Sequence, residues 1–484
     1  MTTDYGGSTG PARRVARAGT RVLAARAAAV AGALTADGAL TAGKAAMLVL
    51  AVALPAATAP VPAPGRAGGP AAAGITIAPL VRVLARPGAV PADGYTPAQI
   101  RAAYHVNPLL RAGIDGAGQS IAIVDSFGSP TIRRDLAVFD RAFGLPRARL
   151  LVIHPAGRIP RFNPNSATMV SWAQETTLDV EWAHVMAPAA RIVLVETPVS
   201  ENEGTSGFPQ IVRAERYVLA RRLAGVISQS FGATEETFPR GALRPLRGAY
   251  LEAAQPRHDV TVVSASGDAG ATDLTASMRS YYTHRVTSWP ASDPLVTAVG
   301  GLDLTLDRSG RRLAPDRVWN DPGSGPQAGG GGRSVVFGRP AFQNGVAAVV
   351  GRHRGVPDVS LSASCGHPVE VYSSFGHAPG WYPICGTSEA TPLFAGIVAL
   401  ADQVAGHPLG PINGYLYAMA AAGDRGLVDI IHGNNTVTFR QHGRTYTVRG
   451  WAATRGYDLS SGLGTVDARF FVPELAALAG KHGA

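Results

Sequence analysis

Three short strings carry side chains able to break and make bonds. In the first, Gly386-Thr387-Ser388-Glu389-Ala390-Thr391-Pro392, a serine stands between a glycine turn and an apolar helical run, Leu393–Ala401. A hydroxyl placed there is exposed near the positive end of the helix and can serve as a nucleophile; a plain helix N-cap is the other reading. In the second, Glu175 and Asp179 lie four apart within Ser171–Val185. Residues at that spacing share a helix face, where two carboxyls holding one proton make an acid/base device. A solvated surface pair is the alternative, but Leu178, Val180, Trp182, Ala183 and Val185 make the helix apolar on several sides and predict its burial. The third string, Ser264-Ala265-Ser266-Gly267-Asp268-Ala269-Gly270, closes a β-rich run. A protonated Asp268 could donate to a developing oxyanion; a turn-forming Asp is the alternative.

These strings need a scaffold that brings them together. Runs rich in apolar and β-branched residues recur at Ser120–Val124, Leu150–Ile153, Ile192–Val195, Val226–Ser230, Val260–Ser264 and Val296–Gly300. Each reads as a strand buried on both faces. Helical patterns alternate with them at Arg133–Phe143, Val170–Val185, Pro209–Arg222 and Leu243–Ala254. The alternation predicts an α/β fold, a mostly parallel central sheet with helices on both faces. Such folds place their chemistry at the carboxyl ends of the strands, and Asp268 leaves one of those ends.

Of the 484 residues, 46% are apolar and 16% charged, which supports a large core; the 58 Gly and 36 Pro argue against a helical bundle. The net charge of +10 does not point to nucleic acid, because residues 1–92 hold nine Arg/Lys against Asp4 and Asp37. That stretch has Tyr5 as its only aromatic residue and lacks the side chains for a core. The expected organisation is an N-terminal extension at 1–59, a Pro/Gly/Ala-rich linker or short propeptide at 60–92, and one packed domain at 93–484. Within the extension, Lys44, the apolar run Ala45–Leu54 and the small residues that follow resemble a secretory signal. The run is shorter than the ~20 apolar residues of a membrane span, so secretion is expected, with membrane or cell-wall association if the segment stays attached. Gly329–Gly332 lacks the Lys-Ser/Thr of a phosphate loop and reads as a flexible surface loop, so no nucleotide partner is expected.

Together the strings resemble the sedolisin (serine-carboxyl peptidase) family, relatives of the subtilisins, over roughly residues 93–473. The resemblance begins at Tyr95–Tyr104 and Gly118–Asp125, and continues through Glu175, Asp179, Ala187-Pro188, Ser228–Gly232, Ser266-Gly267-Asp268 and Gly386-Thr387-Ser388. It implies a subtilisin-like fold and peptide-bond hydrolysis at acidic pH, by endopeptidase or tripeptidyl-peptidase action on polypeptides. By the same resemblance Ser388 is the nucleophile, Glu175 the general base, Asp179 its orienting partner and Asp268 the oxyanion donor. Ser228, Ser230 and Gly232 would line the cleft and pair with substrate main chain. The chemistry is coherent: a carboxylate remains a base in acid, where histidine is protonated, whereas Asp268 must stay neutral to donate.

The resemblance also implies one structural Ca²⁺, held by the carboxylates of Asp429 and Asp458 and the carbonyls of Ile430, Thr454 and Gly456, an oxygen-only set. Thr454 stands where the family usually has glycine. Cys365 and Cys385, the second just before Gly386, are expected to pair in an exported chain, with two reduced core cysteines as the alternative. The large pro-domain common in the family is not expected in the linker at 60–92, which is too short for an independently folded unit. A monomer is expected. Two other readings stay open: an inactive binding protein on the same fold, and a neutral Ser-His-Asp hydrolase. For the latter, Asp125 follows a strand as a triad aspartate would, but no His-Gly-Thr string accompanies it, and His184 reads as a packing residue.

Overall fold

A computed structural model describes residues 94–199, 207–321, 323, 325–376 and 379–482, with 78–79, 82–84, 88 and 91 upstream. The signal-like run Ala45–Leu54 and the extension 1–59 lie outside the described residues, as does most of 60–92. The strands that matter for the site are β1 (Ala78–Pro79), β2 (Arg82–Val83), β3 (Ser120–Ser126), β4 (Arg149–Ile153), β5 (Arg191–Thr197) and β6 (Val226–Gln229). They are followed by β7 (Phe231–Thr234), β8 (Thr261–Ala265), β9 (Thr297–Asp303), β10 (Val359–Ser362) and β11 (Gly380–Cys385). The helices are α1 (Ala167–Met186), α2 (Phe208–Ala220) and α3 (Thr387–Ala405).

The central sheet runs β9-β8-β6-β3-β5-β4, with β10 added on β9. All these neighbours are parallel, and the short Arg317–Val318 pairs antiparallel with β9. The expected class is therefore the one observed. Its cause is visible in the strands: β3, β5 and β8 are buried almost throughout, as continuous apolar runs require. One face packs against α1 and α3 through Ile121, Ile123, Leu178, Trp182, Leu393 and Phe394. The other packs against α2 through Val124, Val193, Val195, Ile211 and Val218.

Two expectations are corrected. The single helix expected over Leu243–Ala254 is two short turns, Leu243–Leu246 and Gly248–Ala253. The break falls at Arg247, whose guanidinium makes a two-pronged bond to buried Asp293 at 2.6 and 2.9 Å. Gly329–Gly332 is not a surface loop but buried chain. Gly330 donates to the Gly267 carbonyl at 2.7 Å, and a Cβ there would sit 2.2 Å from the Ser266 carbonyl oxygen. The run is glycine-rich because it lies against the Asp268 loop, which it props from behind. Upstream of the boundary expected near Asp93, β1 pairs with β7, and β2 and Gly88 pair with β11.

Candidate active site

α1 begins at Ser166, whose hydroxyl accepts from the Met169 amide at 3.3 Å, an N-cap that fixes the first turn. From Glu175 to Met186 every residue is buried. Glu175 and Asp179 occupy the face towards Ser388 and Ser230: the Ser230 hydroxyl donates to Asp179 Oδ1 at 2.9 Å. Other faces serve packing. The Tyr372 amide donates to Glu181 at 3.1 Å, and the Trp182 indole donates to the Glu370 carbonyl, also at 3.1 Å. His184 is spent on the Pro146 carbonyl at 2.9 Å and Asp140 at 3.3 Å, as expected of a packing residue.

Ser388 occupies the first turn of α3, entered through Gly386 at a φ of 131°, a conformation open to glycine. Thr387 to Asp402 are buried without interruption. The Ser388 hydroxyl lies 3.5 Å from the Ser230 carbonyl. It also faces the Glu175 carboxyl and favours its ionised form. No hydrogen bond closes between them, and both Glu175 oxygens lack a partner. Catalytic hydrogen bonds often tighten only when substrate arrives. Just before the helix, Cys385 closes a disulfide with Cys365.

Asp268 sits at the end of β8 beside the same helix start. Its Oδ1 accepts from the Thr387 amide at 2.8 Å and the Thr387 hydroxyl at 2.7 Å, while Oδ2 is buried without a partner. Burial pushes the Asp268 carboxyl up to about 6, against the pull of Arg82 and of the Thr387 donors. Burial likewise raises Glu175 well above the ordinary carboxyl range, reinforced by Asp179 and Asp125 and opposed by the Ser388 hydroxyl. Asp179 is raised by burial and by Asp125, opposed by the Ser230 hydroxyl. The pair therefore gives up its protons in steps, one carboxyl ionising while its partner stays neutral.

The structure thus brings Ser388, Glu175, Asp179, Asp268 and Ser230 to one locus at the carboxyl ends of the strands. Ser228 is different. It lies inside β6, opposite Ile123 on one side and Val263 on the other, so its main chain faces the sheet and cannot ladder with a peptide. Gly232 lies in β7, whose far edge is held by Ser288–Trp289 and whose near edge is taken by β1.

Two neighbours escaped sequence reasoning. Asp125 carries a third buried carboxyl, pushed up to about 7 by burial and Glu196. In the sequence it reads only as a triad aspartate that would need a histidine partner; the structure places it near the end of β3. Thr387 holds Asp268 through two bonds and was visible in its string only as a spacer.

Asp429 and Asp458 converge on one loop. The Gly456 amide donates to Asp429 at 2.9 Å and the Thr454 amide to Asp458 at 2.9 Å, while Ser460 and Ser461 also donate to Asp458. Among the described residues no group of three or more His, Cys, Asp or Glu side chains is placed to hold a metal ion. A cation would need main-chain carbonyls to complete its shell. An all-oxygen set of two carboxylates and loop carbonyls fits Ca²⁺ in kind.

No family model matches the chain. Among characterised proteins, it is 31% identical over 381 residues to kumamolisin of Bacillus sp. strain MN-32, covering 77% of this chain and 62% of that protein. It is 26% identical over 383 residues to sedolisin of Pseudomonas sp. strain 101, covering 78% and 60%. To a tripeptidyl-peptidase of Aspergillus fumigatus it is 30% identical over 374 residues, covering 69% and 59%. The chain thus spans about three-fifths of the length of these relatives. The solved structure of Pseudomonas sedolisin, a serine-carboxyl proteinase complexed with two molecules of pseudo-iodotyrostatin, superposes with a TM-score of 0.64 at 24% identity. That match covers 81% of this chain and all of the other, and it shows that the two share the subtilisin-like fold. With the fold and the sequence likeness in agreement, the chain belongs to the sedolisin family.

Proposed function

We propose that this protein is a serine-carboxyl peptidase that hydrolyses polypeptides in acid, with Ser388 as nucleophile. The observation that carries the reading is the convergence on Ser388 of a buried acid pair on one side and a buried, half-satisfied Asp268 on the other. Glu175 takes the Ser388 proton as the hydroxyl oxygen attacks the peptide carbonyl, then returns it to the leaving amine. Asp179, fixed by Ser230, holds Glu175 and shares its proton. Protonated Asp268 donates from Oδ2 to the oxyanion, its Oδ1 being already engaged by Thr387. In place of β1, Ser230 and Gly232 receive the substrate main chain along β7, a strand addition that depends little on side chains.

The Ser-His-Asp alternative is disfavoured because the α1 histidine, His184, points to Asp140. An inactive binding protein would have no use for four buried ionisable or nucleophilic groups meeting at one helix end. Domain 93–484 is proposed to act as a monomer after export guided by the leader. Among the described residues no helix is long and apolar enough to cross a membrane. Ca²⁺ is proposed at Asp429 and Asp458, with the carbonyls of Ile430, Thr454 and Gly456. Its role there is to neutralise the two carboxylates and tie the loops. Adding Ca²⁺ at ten times its dissociation constant should raise stability by about 1.4 kcal/mol, and thermal melts with and without chelator test this.

The deciding experiment is hydrolysis of an acid-denatured protein across pH 2–8 by the native chain and by Ser388→Ala. Activity confined to acid and reduced by about 10⁴-fold or more in the variant is expected. A maximum near neutrality would overturn the carboxylate base, and silence at every pH from folded protein would favour a binding role.

A further inference from the structure

β7 begins beside the nucleophile, where the Ser230 carbonyl lies 3.5 Å from the Ser388 hydroxyl. It ends in the turn Glu235–Thr237, five residue steps from Ser230 and about 17 Å along an extended chain. There Glu235 lines a cavity of about 450 Å³. The Glu235 carboxyl is buried and committed to the strand Gly332–Gly338, accepting from the Ser334 hydroxyl at 2.6 Å and the Val335 amide at 2.7 Å. With that strand so held, Val335 and Val336 form part of the lining and remain 63% and 50% exposed. Three arginines also line the cavity, and they differ. Arg247 is spent on Asp293 and lies 4.9 Å from the centre of the Phe337 ring. Arg240 and Arg244 are exposed, and among the described residues neither has an acidic partner.

A polypeptide laid antiparallel on β7, as β1 is, has its amino-terminal side towards Glu235. With the residue whose carbonyl is attacked opposite Ser230, the third residue back stands at Gly232, the fifth at Thr234 and the sixth at Glu235. We propose that the cavity at the far end of β7 is an extended substrate subsite that takes a glutamate-like side chain from the sixth residue before the cleaved bond. Its lining decides the chemistry. Two guanidiniums without a described counter-charge attract a carboxylate and repel a lysine. The two exposed valines gain by being covered with an aliphatic stem, which glutamate supplies and a bare anion does not. Arginine stays charged throughout, and near pH 5 most glutamates of an unfolded substrate are ionised. At that pH Asp268, raised to about 6, still holds its proton, so the subsite and the oxyanion donor operate together. A cleft that engages the sixth residue suits internal bonds of a long chain, and so endopeptidase action, whereas removal of tripeptides needs a stop behind the third residue.

The proposal rests on the peptidase reading with substrate along β7, and one experiment separates their failures. The full chain digests an acid-denatured protein at pH 5, and the cut sites are mapped by mass spectrometry. Three acetylated peptides are then built on a site that is cut. One starts three residues before the bond; two start seven before it and carry Glu or Lys at the sixth. The Glu peptide is expected to show a kcat/KM about tenfold above the other two, with the gain in KM. Arg240→Glu/Arg244→Glu, a change of exposed side chains, should reverse the order of the Glu and Lys peptides, which a loss of local packing would not do. Equal kcat/KM for all three peptides, release of tripeptides alone from free amino ends, or a charge-swapped variant that keeps the native order overturns the subsite and leaves the peptidase reading standing. Absence of hydrolysis of both protein and peptides overturns both.

Discussion

At the scale of single residues, Asp268 is the group whose behaviour discriminates most sharply. Its Oδ1 is occupied by Thr387 and its Oδ2 is free and buried, so protonation at Oδ2 creates one donor aimed into the site. With the carboxyl pushed up to about 6, activity should fall as pH rises through that value and the donor is lost. Asp268→Asn keeps a neutral donor at every pH and should abolish this alkaline limb in a kcat/KM profile. Asp268→Ala should lose about 10²–10³-fold in kcat below about pH 6, where the native carboxyl is protonated, and the deficit should shrink above it. Glu175→Gln should lose the acid limb together with most of the activity, because the amide cannot accept the Ser388 proton. The four candidate residues were legible from their strings because chemistry constrains their neighbours: a glycine before the serine, a four-residue interval between carboxyls. Asp125 was not legible as part of the acid cluster. Nothing in the order of residues reveals that β3 delivers its carboxyl to the same interior as a helix some fifty positions later. Ser228 misled for a related reason: it shares a string with Ser230 and Gly232, but a strand turns from sheet to cleft within two residues.

At the scale of elements, placement of the nucleophile depends on how firmly the entry to α3 is held. Cys365 and Cys385 enclose a loop with a sequence separation of 20, and loop closure of that size stabilises by about 3 kcal/mol. The double variant Cys365→Ser/Cys385→Ser should therefore shift the urea midpoint to lower concentration. It should also lower kcat more than it raises KM, because Gly386 and Ser388 follow the lost bridge directly. The strands and long helices of the body were readable because buried parallel strands and helices differ in run length and period. Failures came where the cause is tertiary. The Leu243–Ala254 pattern breaks because Arg247 is recruited by Asp293 across 46 positions, and the glycine run at 329–332 is buried because a distant loop lies against it. A run of glycines looks the same whether it is free or tightly packed.

At the scale of the whole molecule, the interior is unusually acidic. Burial raises Glu175, Asp179, Glu181 and Glu389 well above their ordinary values, Asp125 and Glu196 to about 7, and Glu215 and Asp402 to about 8. Groups that hold their protons more tightly when folded contribute fully below about pH 4, where the unfolded chain is protonated too. For Asp125, Glu196, Glu215 and Asp402 that contribution is lost as pH climbs through 6 to 8, where each must either ionise without water or force the chain open. Thermal melts should therefore give a higher midpoint near pH 4.5 than at pH 8. Glu389→Gln, which removes one such group behind the site, should narrow the difference. The receiving strand β7 adds a last consequence at this scale. Its far edge is pinned by Ser288–Trp289, so it offers a fixed template that accepts an extended backbone and little else. A globular protein at neutral pH has no such length of free backbone to lend. Acid, by stripping the ion pairs of other proteins, loosens their chains at the same pH at which Asp268 holds its proton. Under the proposed chemistry, selection among substrates is thereby made by their state of folding, and acidity both arms the enzyme and prepares its diet.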